Sequence, residues 1–232
     1  MKRVGFLSMV LAAAVTAGCG GNDHDQATTA EKTPAAVGTS GESRDTNVRA
    51  ADREFVRDVA IANMAEMDMA RMALQRASDA NVKKFAQMMV DDHSKAGSRL
   101  QAVAMQHHME MPVQVDEKHK DAAEKLGKLK AGEFDREYAD AMVDGHQDFV
   151  DKLESRIDKD TLAAWKSKNV DPATGKKVEG KAEAISVTAE KSDNPVALGL
   201  NQWAAETYPV AFAHLQAAKD LQQGVKRRST TP

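Results

Sequence analysis

The stretch Phe85-Ala86-Gln87-Met88-Met89-Val90-Asp91-Asp92-His93-Ser94-Lys95-Ala96 decides the reading of the whole chain. With its flanks it sets Val82, Phe85, Ala86, Met89, Ala96, Leu100 and Val103 three and four residues apart, the spacing that lines up side chains on one face of a helix. His93 falls inside that stripe. An imidazole on a face that enters a core needs a partner, because a buried polar group left unpaired costs about 1 to 3 kcal/mol. The remainder of the sequence is read for that partner.

Working outward, Ser78-Asp79 caps the N-terminus of this helix and Pro112 marks its end. Upstream, residues 52–77 carry a second stripe, Phe55, Val59, Ala62, Met69 and Ala73, with Glu66 in it. The turn between the two is short enough to force an antiparallel pair. Downstream, residues 116–129 form a charged connecting helix, about 20 Å long at 1.5 Å per residue, which permits a long crossover as readily as a hairpin. Residues 133–157 give a third long helix with Phe134, Tyr138, Met142, Phe149 and Leu153 inward and His146 among them. Residues 158–193 break the pattern and read as a protruding insertion with a short hairpin at Ala184-Ile185-Ser186-Val187. Asn194-Pro195 opens the last helix, with Leu200, Trp203, Val210, His214, Ala217 and Leu221 in one row and a kink expected near Tyr208, before Pro209. The expected fold is all-α: an antiparallel four-helix bundle over residues 51–225, ferritin-like, with a short connecting helix, a long insertion before the last helix and a frayed tail over 226–232.

Composition agrees with an all-helical chain. Only 4 % of the 232 residues are aromatic, too few strand formers for a large sheet, while helix-forming residues abound. The net charge is -3, with no basic stripe, so nucleic acid is not an expected partner. The lone cysteine, Cys19, has no internal disulfide partner. Met1-Lys2-Arg3, an apolar run from Val4 to Val15 and Thr16-Ala17-Gly18-Cys19 have the layout of a secretory signal. With cysteine directly after small residues, it resembles a bacterial lipoprotein signal, which implies cleavage after residue 18, lipid on Cys19 and membrane attachment through it. Gly20 after the cysteine implies sorting to the periplasmic side of an outer membrane. Residues 19–50, rich in Gly, Asn, Thr, Ser and Ala, read as a disordered tether.

Glu66, His93, His146 and His214 thus stand near the middle of four different helices, each on its apolar stripe. Stripes of a bundle converge on one axis, so the four fall in one layer. One carboxylate and three imidazoles suit one transition-metal ion, zinc, copper, iron or manganese. Asp92, Asp135, Tyr138 and Asp144 are candidates to orient the rings from outside. The alternative is a structural hydrogen-bond network of the same residues in a non-catalytic envelope or stress-related module whose insertion meets an envelope protein partner. A solvent-exposed His146 would defeat both.

Three blocks, VKKFAQMMVDDH (82–93), GEFDREYADAMVDGH (132–146) and YPVAFAHLQAAKDL (208–221), resemble the signature of the secreted bacterial family catalogued as domain of unknown function 4142. The resemblance spans residues 55–221 apart from the insertion. It implies a ferritin-like bundle and an outer-membrane or lipoprotein setting, carries the family's motif histidines onto His93, His146 and His214, and supplies no biochemical role. The chain departs from diiron ferritins, which use Glu-x-x-His: Val90, Val143 and Ala211 stand three before the histidines, so iron storage and oxygen-activating diiron chemistry are not expected.

A second candidate is methionine-rich. Nine of the twelve methionines lie between Met64 and Met111, and Met105-Gln106-His107-His108-Met109-Glu110-Met111 would suit Cu(I). Core filling by an adaptable side chain explains the methionines more simply. No catalytic residue is assigned; phosphate-loop and serine-elbow motifs are absent, and oligomeric state is not legible.

Overall fold

A computed structural model describes residues 47–171, 173–175 and 186–229. The expected signal, Cys19 and all but the end of the tether lie outside the described residues. All named elements are helices: α1 (Ala50–Arg76), α2 (Ala80–Gln106), α3 (Glu117–Gly127), α4 (Ala131–Glu154), α5 (Lys159–Asn169) and α6 (Pro195–Ser229). No described helix is long and apolar enough to cross a membrane.

The four long helices pack α1 on α2, α4 on α6, α2 on α6 and α1 on α4. Their buried apolar residues fall into two clusters. One joins Phe55, Val56 and Val59 of α1 to Leu100 of α2, Phe149 and Leu153 of α4, and Leu200 and Trp203 of α6. The other joins Met69 and Ala73 to Phe85 and Met89, Phe134 and Tyr138, and Leu221 and Val225. Cluster membership fixes direction: α1 and α6 run from the first cluster to the second, while α2 and α4 run back. The connection carrying α3 is therefore a crossover along the length of the helices, which settles the choice between crossover and hairpin.

Local chemistry fixes the ends. Asp79 caps α2 by accepting from the Asn81 N–H at 2.7 Å, and Asp116 caps α3 by accepting from the His119 N–H at 3.0 Å. At the start of α1, fully buried Asp52 accepts from Arg49 and from Arg156, the latter at 2.8 Å across the fold.

Three expectations need correction. The insertion is not a loop with a hairpin: Asp158 caps an added helix, α5, whose buried Leu162 and Trp165 pack inward, Trp165 meeting Tyr208 and Phe212 edge-on at 5.3 Å. Its returning strand makes only an isolated antiparallel bridge, Ile157 with Ala189; residues 184 and 185 of the expected hairpin lie outside the described residues. Asp135 does not orient a histidine. It is buried at the far end of α4, where it accepts from the Ser78 and Asp79 N–H groups and the Ser78 hydroxyl and so clasps the α1–α2 turn. The basic tail does not fray at Arg227: α6 continues to Ser229 and Arg228 pairs with Asp79. Pro209 lies inside an α6 that is helical on both sides of it.

Replacing Asp135 removes the acceptor of three donors in the partly exposed α1–α2 turn, so Asp135→Ala should cost about 1 to 3 kcal/mol in urea unfolding. Asp144→Ala, on the exposed face of the same helix, should stay within about 0.5 kcal/mol of wild type.

Candidate metal centre

Between the two apolar clusters the four helices each contribute polar side chains to one layer. Glu66 (3 % exposed), His93 (4 %), His146 (0 %) and His214 (4 %) are all buried and meet there. The imidazole centroids are 5.5 Å apart for His93 and His146, 5.7 Å for His93 and His214, and 5.6 Å for His146 and His214. A ring nitrogen from each of the three lies within 4.8 Å of the others. Glu66 reaches in from α1, its Oε2 at 3.2 Å from His93 Nε2 and its Oε1 at 3.4 Å from His146 Nδ1.

The partners outside the layer decide which ring nitrogens are free. His146 Nδ1 donates to the Met142 carbonyl at 2.9 Å, which places its proton on Nδ1 and leaves a lone pair on Nε2. His93 Nδ1 donates to Asn63 Oδ1 at 3.0 Å, with the same consequence for its Nε2. His214 Nε2 donates to Asp92 Oδ2 at 3.2 Å, leaving the lone pair on Nδ1. Outer partners thus orient all three rings, the arrangement that surrounds metal-bound histidines.

Burial sets the charge of the layer. Desolvation pushes the Glu66 carboxyl up to about 8 and His93 down to about 4, with His214 adding to the latter shift. His146 is held well below the ordinary imidazole range by burial, then by its two neighbouring rings; His214 is lowered by burial against the opposing pull of Asp92. At neutral pH the layer is therefore one protonated carboxyl and three neutral rings. Despite their proximity to imidazole nitrogens, both Glu66 oxygens lack an aligned hydrogen bond, as does His146 Nε2. The Glu66–His146 contact is a close approach rather than a hydrogen bond, since the His146 Nδ1 proton is already directed at Met142, whereas the protonated Glu66 carboxyl stands 3.2 Å from the His93 Nε2 lone pair, a donor facing an acceptor.

The three histidines could hold a metal ion. At about 2.0–2.1 Å from zinc, tetrahedral nitrogen ligands sit roughly 3.4 Å apart, and one nitrogen from each ring lies within 4.8 Å of the others. Neutral imidazoles and the unpartnered His146 Nε2 suit ligation; Glu66 stands beside this group, its Oε1 nearest the His146 Nδ1 that faces Met142.

Of the residues expected to orient the rings, Asp92 does so. Tyr138 is buried and its hydroxyl makes no hydrogen bond, so it orients no ring; burial and then the nearby Glu66 carboxylate raise the pKa of its phenol, and Phe85 packs edge-on against both Tyr138 and His146 at 6.3 Å. Asp144 is exposed, because two residues before His146 is about 200° around the helix. The sequence reading missed Asn63, although it stands one turn before Glu66 on the same face. It also missed two glycines. A Cβ at Gly145 would lie 2.7 Å from Glu66 Oε1, and one at Gly97 would lie 2.9 Å from Asn63 Nδ2; each gives a polar side chain of α1 room to enter. The methionines do not assemble. Met89 and Met142 are core residues, Met105 is 68 % exposed, and Met64 and Met111 share a groove on another face.

The titration of this layer predicts how apo stability varies with pH. Unfolded, Glu66 ionises near 4.5; folded, near 8, so the folded state loses ground as pH rises between those values. The histidines act oppositely below about 6.5, where only the unfolded chain takes up their protons. From pH 6.5 to 8, Glu66 alone should cost roughly 2 kcal/mol. Glu66→Gln should therefore gain about that much relative to wild type across the interval in paired chelator-treated urea titrations.

Among solved structures, a crystal structure of a DUF305 fragment from Deinococcus radiodurans is similar to the chain, with a TM-score of 0.48 and 13 % sequence identity over 77 % of this chain and 97 % of that one. No curated protein matches. A family model matches residues 37–169, which hold α1 to α5 with Glu66, His93 and His146 but not His214. That model is described as a domain of unknown function (DUF4142), and, since it spans more than half of the chain, the chain belongs to this family.

Proposed function

We propose that the protein is an extracytoplasmic metal-binding four-helix bundle of ferritin-like topology, attached to the outer membrane through lipid on Cys19, with one transition-metal ion held by Glu66, His93, His146 and His214. The observation that carries the metal reading is the pairing pattern of the layer. Each ring spends its proton on a partner outside, on Met142, Asn63 or Asp92, while His146 Nε2 is buried without a partner. A structural network would instead satisfy its own members, because half-satisfied buried networks are costly. The topology supports the bundle reading, with α2 and α4 parallel and α3 on the crossover between them. The leader sequence supports the envelope reading.

Three nitrogens and one carboxylate oxygen, with no thiolate, are borderline donors that suit Zn, Mn, Fe or Cu(II) rather than Cu(I). When bound, such an ion supplies a Lewis acid or a redox centre. The chain's contribution is to hold three neutral rings at fixed tautomers and to release one proton from Glu66.

Elemental mass spectrometry of the protein purified without chelator or tag histidines should find near-stoichiometric metal, lost in His146→Ala and in Glu66→Gln. Added zinc at 100 times its Kd should stabilise wild type by about 2.7 kcal/mol and the variants not at all. The absence of both bound metal and any stabilisation by Zn, Cu, Mn or Fe would return the layer to a structural role. Because Glu66 must lose its proton near 8, affinity measured by competition with a chelating dye should rise about tenfold per pH unit from 6.5 to 7.5 and level off above 8.

A further inference from the structure

Two cavities approach the layer from opposite grooves, and their chemistry differs. One, of about 280 Å³, lies between α1 and α4 near the start of α3. Glu66 and Gly145 line it, together with Asp58, Asp116 and Asp148 and the cationic or basic side chains Lys118, His119 and Lys152, of which Lys152 pairs with Asp58 and His119 with Asp116. The other, of about 130 Å³, lies between α2 and α6 and touches His93 and His214 directly. Phe149, Ala96 and Ala211 give it apolar walls, and Lys95 and Arg99 stand at its lip. The single carboxylate there, Asp92, is already engaged by the Lys95 ammonium at 2.9 Å and by His214 Nε2–H. Arg99 has only a loose pairing with exposed Glu206 at 3.8 Å.

We propose that the α2–α6 cavity is the site at which this centre takes a small anionic ligand, an inorganic or one-carbon anion of a few heavy atoms. The inference rests on the metal reading of the histidine layer and deepens it by naming where an exogenous ligand binds and of what class it is. At about 130 Å³ it has less than half the volume of the α1–α4 cavity, which favours a ligand of few heavy atoms over a nucleotide or peptide. A group entering there arrives beside two of the three imidazole ligands, whereas the α1–α4 cavity reaches the layer only past Glu66. Lys95 and Arg99 outnumber the one carboxylate, Asp92, that lines the α2–α6 cavity, whereas the acids of the α1–α4 cavity are opposed by Lys118 and Lys152. The apolar walls carry few competing donors, so a bound anion is held by the metal cation and steered by Lys95 and Arg99.

Azide is the probe and the Co(II)-loaded full chain the reporter, since an anion entering the coordination sphere changes the visible spectrum of cobalt. Saturable azide-dependent bands are expected. Val210→Trp, at the half-exposed mouth of the α2–α6 cavity, should abolish them, and Ile61→Trp, at the α1–α4 cavity, should leave them intact. Lys95→Gln with Arg99→Gln should weaken azide on the order of tenfold at low salt and much less at high salt, with cobalt content unchanged. A cobalt-loaded protein whose spectrum ignores azide would overturn the inference, as would loss of the bands in Ile61→Trp but not in Val210→Trp. Failure to hold cobalt, zinc or any other metal would instead remove the metal reading itself, and this inference with it.

Discussion

The structure turns on the burial of one carboxyl and three imidazoles in a single layer between two apolar halves. Moving such groups out of water is costly unless they are neutral or paired. The chain does both: desolvation strips the charge from all four groups at neutral pH, and each ring has one nitrogen bonded outside the layer. What remains inside is a set of lone pairs and one ionisable proton. The same arrangement explains why Gly97 and Gly145 stand where they do, since any Cβ there would press on Asn63 or Glu66.

The orientation of the hydrogen bonds carries more weight than the clustering of histidines. Polar layers can fix register in helical bundles without binding anything, and they do so by bonding their own members to one another. Here the aligned bonds run outward, to a backbone carbonyl of α4, an amide of α1 and a carboxylate of α2. Asp92 links the two halves of the account. It fixes His214 from outside and, paired with Lys95, forms part of the lip of the α2–α6 cavity. A substitution there would disturb both ring orientation and access.

Much of this was legible in the sequence, and the failures have physical causes. The stripes that placed Glu66, His93, His146 and His214 in one layer are 3.6-residue patterns over long helices, the strongest signal a sequence carries. Asp144 was misjudged because nearness in sequence was taken for nearness in space; two residues along a helix point to opposite sides. Asp135 lies on the inward stripe of α4, yet its partners sit in the α1–α2 turn, more than fifty residues away in sequence, where no local pattern reveals them. Helix α5 escaped notice because its short apolar pair, Leu162 and Trp165, is surrounded by lysines; the signal present was the Asp158 cap followed by Thr161. Asn63 was visible one turn from Glu66, but only the geometry shows that its amide oxygen faces His93.

The most direct test of the histidine layer as a metal centre is X-ray absorption at the zinc K-edge on protein loaded with one equivalent. The account predicts a first shell of nitrogen and oxygen at about 2.0–2.1 Å, with the outer-shell scattering of three imidazoles and no sulfur. A sulfur shell near 2.3 Å, or scattering from one imidazole or none, would place the metal among the methionines or on the surface and contradict the account.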